Sequence, residues 1–292
     1  MKRIAVIGNP GSWSTEKLAD AIEARTGFRC VVDMARVTLD LQSEKLWFED
    51  HDLSGFDALV IKKISPIYSP DMQDRLSMLH LPAMRGTRIF SRPEAILAAV
   101  NRLSCTVKLR SGNIPLPPTV ITENVDHAVR AVEEFGRAVF KPLYTSKARG
   151  MEVIESGPES RRRIERYQAQ GNQVLYIQQM LDILSQDLGI VFLGGEYFGT
   201  YARQSFGAWN TSTSNGGKYR PFDPPREIID LAWKAQDLFG LDFTCVDVVE
   251  TADGPMVFEV SAFGGFRGLL EACNVDASSH LADYILRRCG HD

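Results

Sequence analysis

Two acidic residues set inside apolar runs are the first sign of chemistry in this chain. Asp247 ends Phe243-Thr-Cys-Val-Asp247, and Glu259 sits in Met256-Val-Phe-Glu259-Val260, each with the composition of a buried strand. A carboxylate in such surroundings is costly unless it is paired, protonated or bound to a cation. Two of them on neighbouring strands offer the oxygen donors that Mg2+ takes. An arginine partner, or an edge strand with the acids facing solvent, satisfies the same residues. Directly after comes Ser261-Ala-Phe-Gly-Gly-Phe-Arg267-Gly268. Its amides suit an anion nest at a helix start, with Arg267 offering a guanidinium fork to carboxylate or phosphate. Upstream, Lys141 closes an apolar run and leads into Pro142-Leu-Tyr-Thr-Ser-Lys147-Ala-Arg149-Gly150. That loop of small, hydroxyl and basic residues suits a flap over phosphates and also a solvated turn.

Composition narrows the setting of this chemistry. The chain has 292 residues, 44% hydrophobic and 24% charged, which describes a folded globular protein and excludes disorder. With 33 Lys and Arg against 37 Asp and Glu, the formal charge of −4 argues against a surface built for nucleic acid. No apolar run approaches the roughly 18 residues of a membrane helix, and the first residues lack the apolar core of a signal peptide, so a cytoplasmic protein with no membrane contact is expected. The five cysteines include no CxxC pair, and the five histidines show no metal-binding spacing. A bound cation therefore needs oxygen ligands.

The elements that must position these residues read as mixed α/β. Arg3 to Ile7 is a strand, followed by a Gly8-Asn-Pro-Gly11 turn and a helix with Ser14 as its N-cap. Strands at Cys30 to Asp33 and Ala58 to Lys62 complete an open parallel sheet with crossovers. Ser91-Arg-Pro-Glu94 reads as a capping box opening one long helix through Val107, and Gly112 followed by Ile114 to Pro118 stops it. Beyond lie a helix with Val125, Ala128, Val129, Val132 and Phe135 on one face, strands ending at Lys141 and near Ile154, and a helix over Glu159 to Gln170. A strand at Val174 to Gln179 and a hairpin from Gly189 to Arg203 turning at Gly194-Gly195 follow, then a helix, the two acidic strands and a closing helix. The expected organisation is an open parallel α/β domain over residues 1–90, a linker helix and small lobe over 91–180, and a metal-bearing lobe over 181–292.

Taken together, these pieces resemble the ATP-grasp superfamily, in the branch of the RimK-like glutamate ligases, and look closest to the GAK-system ATP-grasp enzymes. The resemblance rests on Gly112-Asn-Ile-Pro-Leu-Pro-Pro-Thr119, on Lys141-Pro142, on the partial flap Thr145 to Met151, on Tyr176-Ile-Gln-Gln-Met180, on Trp209-Asn-Thr-Ser212 with Gly216-Gly217, and on Asp247 with Glu259-Val-Ser261. It implies an open parallel α/β domain preceding a two-lobed ATP-grasp fold, with ATP and one or two Mg2+ ions, Mn2+ being the alternative, bound between the lobes. By the same resemblance Lys141, Lys147 and Arg149 meet phosphates, Gln178, Gln179 and Met180 meet adenine, Asp187 lies near the ribose, and Asp247, Glu259 and Ser261 hold metal. Arg203 and Arg267 become candidates for stabilising the transferring oxygens or gripping a carboxylate. The implied reaction joins small-molecule or peptide carboxylates to amines through an acyl phosphate, in a chain that the family's habits allow to be a homodimer. A weakly catalytic or regulatory ATP-binding protein, or a small-molecule kinase, fits the same residues. Ser261 in place of Asn, Thr145 and Ala148 in place of flap glycines, and Asn101-Arg102 in place of an Asp-Lys pair set this chain apart from the pattern.

Overall fold

The computed structural model describes residues 2–146, 148–183, 186–204 and 217–290. The first sheet has the order β2-β1-β6-β7, all parallel. Its strands are β1 (Ile4–Ile7), β2 (Val31–Val32), β6 (Ala58–Ile61) and β7 (Arg88–Phe90). β1 and β6 are continuous apolar runs, buried at every position, as a parallel sheet covered on both faces requires. The helix α1 (Trp13–Thr26) buries Leu18, Ala19 and Ile22 against it. Ser12 rather than Ser14 occupies the N-cap position, because the chain becomes helical two residues earlier than the sequence suggests.

Between β2 and β6, where a simple crossover is expected, the chain forms a small antiparallel sheet of β3 (Val37–Asp40), β4 (Lys45–Phe48) and β5 (His51–Asp52). Helices α2 (Asp71–Met78) and α3 (His80–Met84) lead into β7. The expected long helix is two, α4 (Pro93–Val100) and α5 (Arg102–Ser111), parted at Asn101, whose side chain caps α5 through Ser104 N. The capping box does not form either. Arg92 is the cap residue of α4, and the Ser91 hydroxyl instead accepts from Asp242 N at 2.8 Å, a distant partner that outcompetes the local one.

The proline-rich connection then carries the chain to a second sheet, of order β10-β9-β11-β8. It contains β8 (Thr119–Thr122), β9 (Arg137–Phe140), β10 (Glu152–Glu155) and β11 (Leu175–Gln179), paired antiparallel and backed by α6 (Val125–Phe135) and α7 (Ser160–Ala169). The third sheet runs β14-β13-β12-β15-β16. Its strands are β12 (Gln186–Leu193), β13 (Glu196–Gln204), β14 (Lys218–Pro221), β15 (Phe243–Thr251) and β16 (Gly254–Ser261). β12 and β13 form the expected hairpin, turning at Gly194 and Gly195 with φ of 62° and 85°. Helix α8 (Arg226–Asp237) and the pair α9 (Phe266–Cys273) and α10 (Ala277–Arg288) cover this sheet, Asn274 parting what the sequence presents as one closing helix.

The cores show how these units are joined. One cluster packs Ile7, Leu59 and Ile61 of the parallel sheet with Leu188, Ile190, Phe192, Val246 and Val248 of the third. Another joins Ile4, Val60, Leu18 and Ile22 to Val191, Phe243, Leu281 and Ile285. The second sheet keeps a cluster to itself, built from Ala128, Val132, Phe140, Ile164, Tyr167 and Ile177. Among the described residues no helix is long and apolar enough to cross a membrane.

Candidate active site

β15 and β16 run antiparallel with Asp247 directly opposite Glu259, which sends both carboxylates from one face of the sheet. A bulge beside Asp247 shifts the register there, the kind of irregularity that re-aims side chains near functional sites. Burial pushes the Asp247 carboxyl up to about 7; Arg203 opposes the shift, while Glu259 and Asp187 add to it. Arg203 lies opposite Asp187 in the β12–β13 hairpin. Its Nε donates to Asp187 Oδ1 at 3.0 Å, its Nη2 reaches the other Asp187 oxygen, and Nη2 stands 2.9 Å from Asp247 Oδ2. Burial works against the guanidinium, but Asp247 and Asp187 outweigh it and hold Arg203 well above its ordinary value. Arg203 is thus a partly buried cation clamped by two acids, and removing either acid leaves its charge without one of its partners.

Behind Asp247 lies a second fixed contact. Cys245 is buried, its Sγ 3.8 Å from Asp247 Oδ1 and 3.4 Å from the Tyr201 hydroxyl. The Tyr201 ring occupies a slot between Gly189 and Gly268, where a Cβ on either glycine would stand 2.3 or 2.4 Å from ring atoms.

The second sheet brings the basic half of the site. Lys141 follows β9, its backbone N bonded to Tyr176 O at 3.0 Å and its Nζ donating to Gln178 Oε1. The Nζ lies 5.1 Å from the centroid of Phe258, the residue preceding Glu259. Burial first, and then the neighbouring Arg102, push the ammonium down to about 7, with Glu259 pulling the other way. Gln178 is buried at 3% exposure and also donates to Thr119 Oγ1 at 3.1 Å, so its side chain serves to hold Lys141. Gln179 N donates to Pro118 O and Met180 N to Arg137 O, both at 2.9 Å, which pins the segment after β11.

In the sequence Arg102 marks only a departure from the family pattern; in the structure it reaches the candidate site. It opens α5, with its side chain 10% exposed and Nη1 3.4 Å from Glu259 Oε2. Its Nε donates to Pro142 O at 3.1 Å and its backbone N to Leu143 O at 3.2 Å. One side chain thereby connects the helix pair, the Lys141 loop and the acidic strand. The signal in the sequence was its position, directly after the Asn101 cap of a helix aimed at the site.

A cleft opens where these parts meet, with Tyr68, Arg102, Thr145, Ser146, Glu259 and Ser261 among its walls. The loop above it folds on itself. Thr145 Oγ1 donates to Arg149 O at 2.9 Å, and the exposed Arg149 returns Nε and Nη2 to Ser146. Lys147, and the Trp209 to Gly216 stretch that carries part of the resemblance, lie outside the described residues. Arg267 joins none of these contacts. It lies exposed at the start of α9, 5.0 Å from the Trp13 ring centroid and 3.8 Å from Glu271.

Asp247, Glu259 and the Ser261 that lines the cleft supply an all-oxygen donor set, which suits a hard cation such as Mg2+. Among the described residues no three acids, histidines or cysteines form a ready-made cage. That too fits Mg2+, which takes one or two carboxylates and completes its shell with water and phosphate oxygens. Glu259 and Arg102 share the cleft wall, with Asp247 beside Glu259 on the next strand and Lys141 close behind Phe258, so acids and bases converge as a metal–polyphosphate needs.

Comparison with known proteins agrees with this geometry. The RimK-like ATP-grasp domain family matches residues 99–285. The tetrahydromethanopterin:alpha-L-glutamate ligase of Methanosarcina acetivorans is 23% identical, over 98% of this chain and 99% of that one. The glutamate–LysW ligase ArgX of Sulfolobus acidocaldarius is 24% identical over 80% and 83%. The ATP-grasp ligase PsnB, solved with a minimal precursor, Mg and ADP, superposes with a TM-score of 0.74 at 21% identity, covering 98% of this chain and 97% of that one. With the parallel sheet, the two antiparallel sheets and the facing acids and bases all in place, the chain belongs to the RimK-like ATP-grasp family of carboxylate–amine ligases.

Proposed function

We propose that the protein binds Mg-ATP between the second and third sheets and uses it to join a carboxylate to an amine, with ADP and phosphate as the other products. The observation that carries this reading is the pairing of Asp247 with Glu259 across β15 and β16, faced by Lys141 and Arg102. ATP supplies the phosphoryl group that turns the carboxylate into an acyl phosphate, and Mg2+ offsets the charge of the transfer. Asp247 and Glu259 hold the metal, with Ser261 beside them. Lys141, steadied by Gln178, and Arg102, steadied by Pro142, hold the phosphates by charge-assisted hydrogen bonds. Arg203 keeps the Asp247 carboxylate in one orientation. Relatives that act on glutamate, and a structural neighbour that takes a precursor peptide, support an amino acid or peptide as substrate.

Titrating Mg-ATP calorimetrically into the wild type and a Lys141→Ala/Glu259→Gln variant, while following phosphate release, tests the reading. Binding in the wild type that disappears in the variant is the expected result, and absence of binding in the wild type refutes the assignment. A second reading, a nucleotide-binding protein with little turnover, is favoured by Ser261 at a metal position and by the self-bonded 145–149 loop. It calls for binding without phosphate release in the same samples.

A further inference from the structure

The connection between β6 and α2 is held firmly on both sides of the Tyr68 hydroxyl. At its start Lys62, 3% exposed, donates from Nζ to Phe263 O at 2.9 Å and lies 3.8 Å from the Phe266 ring centroid. Arg75 Nη1 donates to Ile64 O at 3.1 Å, Ile67 N to Ser65 Oγ at 3.3 Å, and Met72 N to Ser69 O at 3.1 Å. The Tyr68 ring meets Phe263 edge to face, with centroids 6.5 Å apart. Its side chain lines the cleft beside Glu259 and Ser261, yet no hydrogen bond engages its hydroxyl among the described residues.

The surroundings define what that hydroxyl can take. Burial, reinforced by Glu259, pushes the phenol up and keeps it a neutral donor, with Arg149 opposing. Its polar walls include the Arg102 guanidinium and the hydroxyls of Ser146 and Ser261, with Thr106 and Thr145 already bonded elsewhere, so donors outnumber the single acid, which the metal claims. A cleft of this kind fits an anionic oxygen. Lys141 and the 145–149 loop approach from the second sheet, where the phosphates lie in the ligase reading, whereas Tyr68 approaches from the parallel-sheet side. We propose that Tyr68 is a substrate contact, its hydroxyl donating to a carboxylate oxygen of the substrate that is to be activated beside Glu259. The subsite rests on the ligase reading and adds the parallel-sheet unit to it: the loop after β6, at the carboxyl edge of that sheet, delivers the contact, and the Phe263 ring and the Lys62 anchor keep it aimed.

Tyr68→Phe removes the hydroxyl and keeps the ring contact, and Tyr68→Leu is a second hydroxyl-free variant. Each is loaded with Mg-ADP, and binding of trifluoroacetate, a minimal carboxylate probe, is read from its 19F line width. The wild type is expected to broaden the signal, and both variants to bind the probe about ten- to a hundredfold more weakly while Mg-ADP affinity stays unchanged. Equal binding in wild type and variants, or no broadening in a wild type that binds Mg-ADP, overturns the proposal. Lost Mg-ADP affinity in the variants also overturns it, by giving the hydroxyl to the nucleotide. A wild type that binds no Mg-ADP refutes the ligase reading itself.

Discussion

The second sheet and the rest of the molecule are built on different principles. The parallel sheet and the third sheet share two cores, so Tyr68, Asp247, Glu259 and Arg203 belong to one packed body. The second sheet buries Phe140, Tyr167 and Ile177 in a core of its own, and Arg102 reaches the segment after β9 through Pro142 O and Leu143 O. The acids proposed to hold metal therefore stand on a shared packed base, whereas the lysine proposed to meet phosphate follows a strand of a sheet with a core of its own. In the ligase reading, such a division lets the nucleotide side of the site adjust while the metal and substrate side keeps its register.

The sharpest way to break this comparison lies on the rigid side. Asp247→Asn keeps the shape and removes the charge that a cation needs, and ATP turnover should fall by about two to three orders of magnitude. Unchanged phosphate release from that variant would remove Asp247 from the machinery. Next come paired core truncations. Phe140→Ala and Phe192→Ala each delete a fully buried ring and should each cost about 3–5 kcal/mol. Hydrogen exchange should show protection lost only around residues 119–179 in the first, and across the parallel and third sheets together in the second. Equal spread in both would show a single cooperative unit.

The smallest effect is in pH. Burial raises Asp247 to about 7 and lowers Lys141 to about 7, one residue on each body. Below that value a metal must displace a proton from Asp247. Above it, phosphate must restore one to Lys141. Mg-ATP affinity should peak near neutrality, with limiting slopes of about tenfold per pH unit on either side. Lys141→Gln should flatten the alkaline limb and leave the acid one, so a profile unchanged by that variant would detach Lys141 from the nucleotide.

Much of this was legible in the sequence because the signals were local. The apolar runs around Asp247 and Glu259, the Gly194-Gly195 turn and the face of α6 follow from composition, periodicity and turn chemistry, and all form. What failed to read were the places where a distant partner decides. Ser91 looks like a cap but bonds to Asp242, and Arg102 gains its meaning only when β16 arrives beside α5. The β3–β5 sheet could have been found, since Leu46 and Phe48 alternate with half-buried Lys45 and Trp47 in Lys45–Phe48. Asn101, three residues before Ser104, likewise carried the signal of a new helix start. The pairing of Arg203 with both Asp187 and Asp247 required the register of three strands, which no single stretch of sequence specifies.

The Tyr201 slot has a consequence for how the sequence can drift. Gly189 and Gly268 lie far apart in the chain but touch the same ring, and a methyl group on either would collide with it. Both glycines are therefore held in place as long as position 201 carries the ring. In a randomised library, alanine at position 189 or 268 should survive selection only where position 201 has already become small. A lineage that loses the tyrosine would be released from both glycines at once, together with the hydroxyl that now backs Cys245.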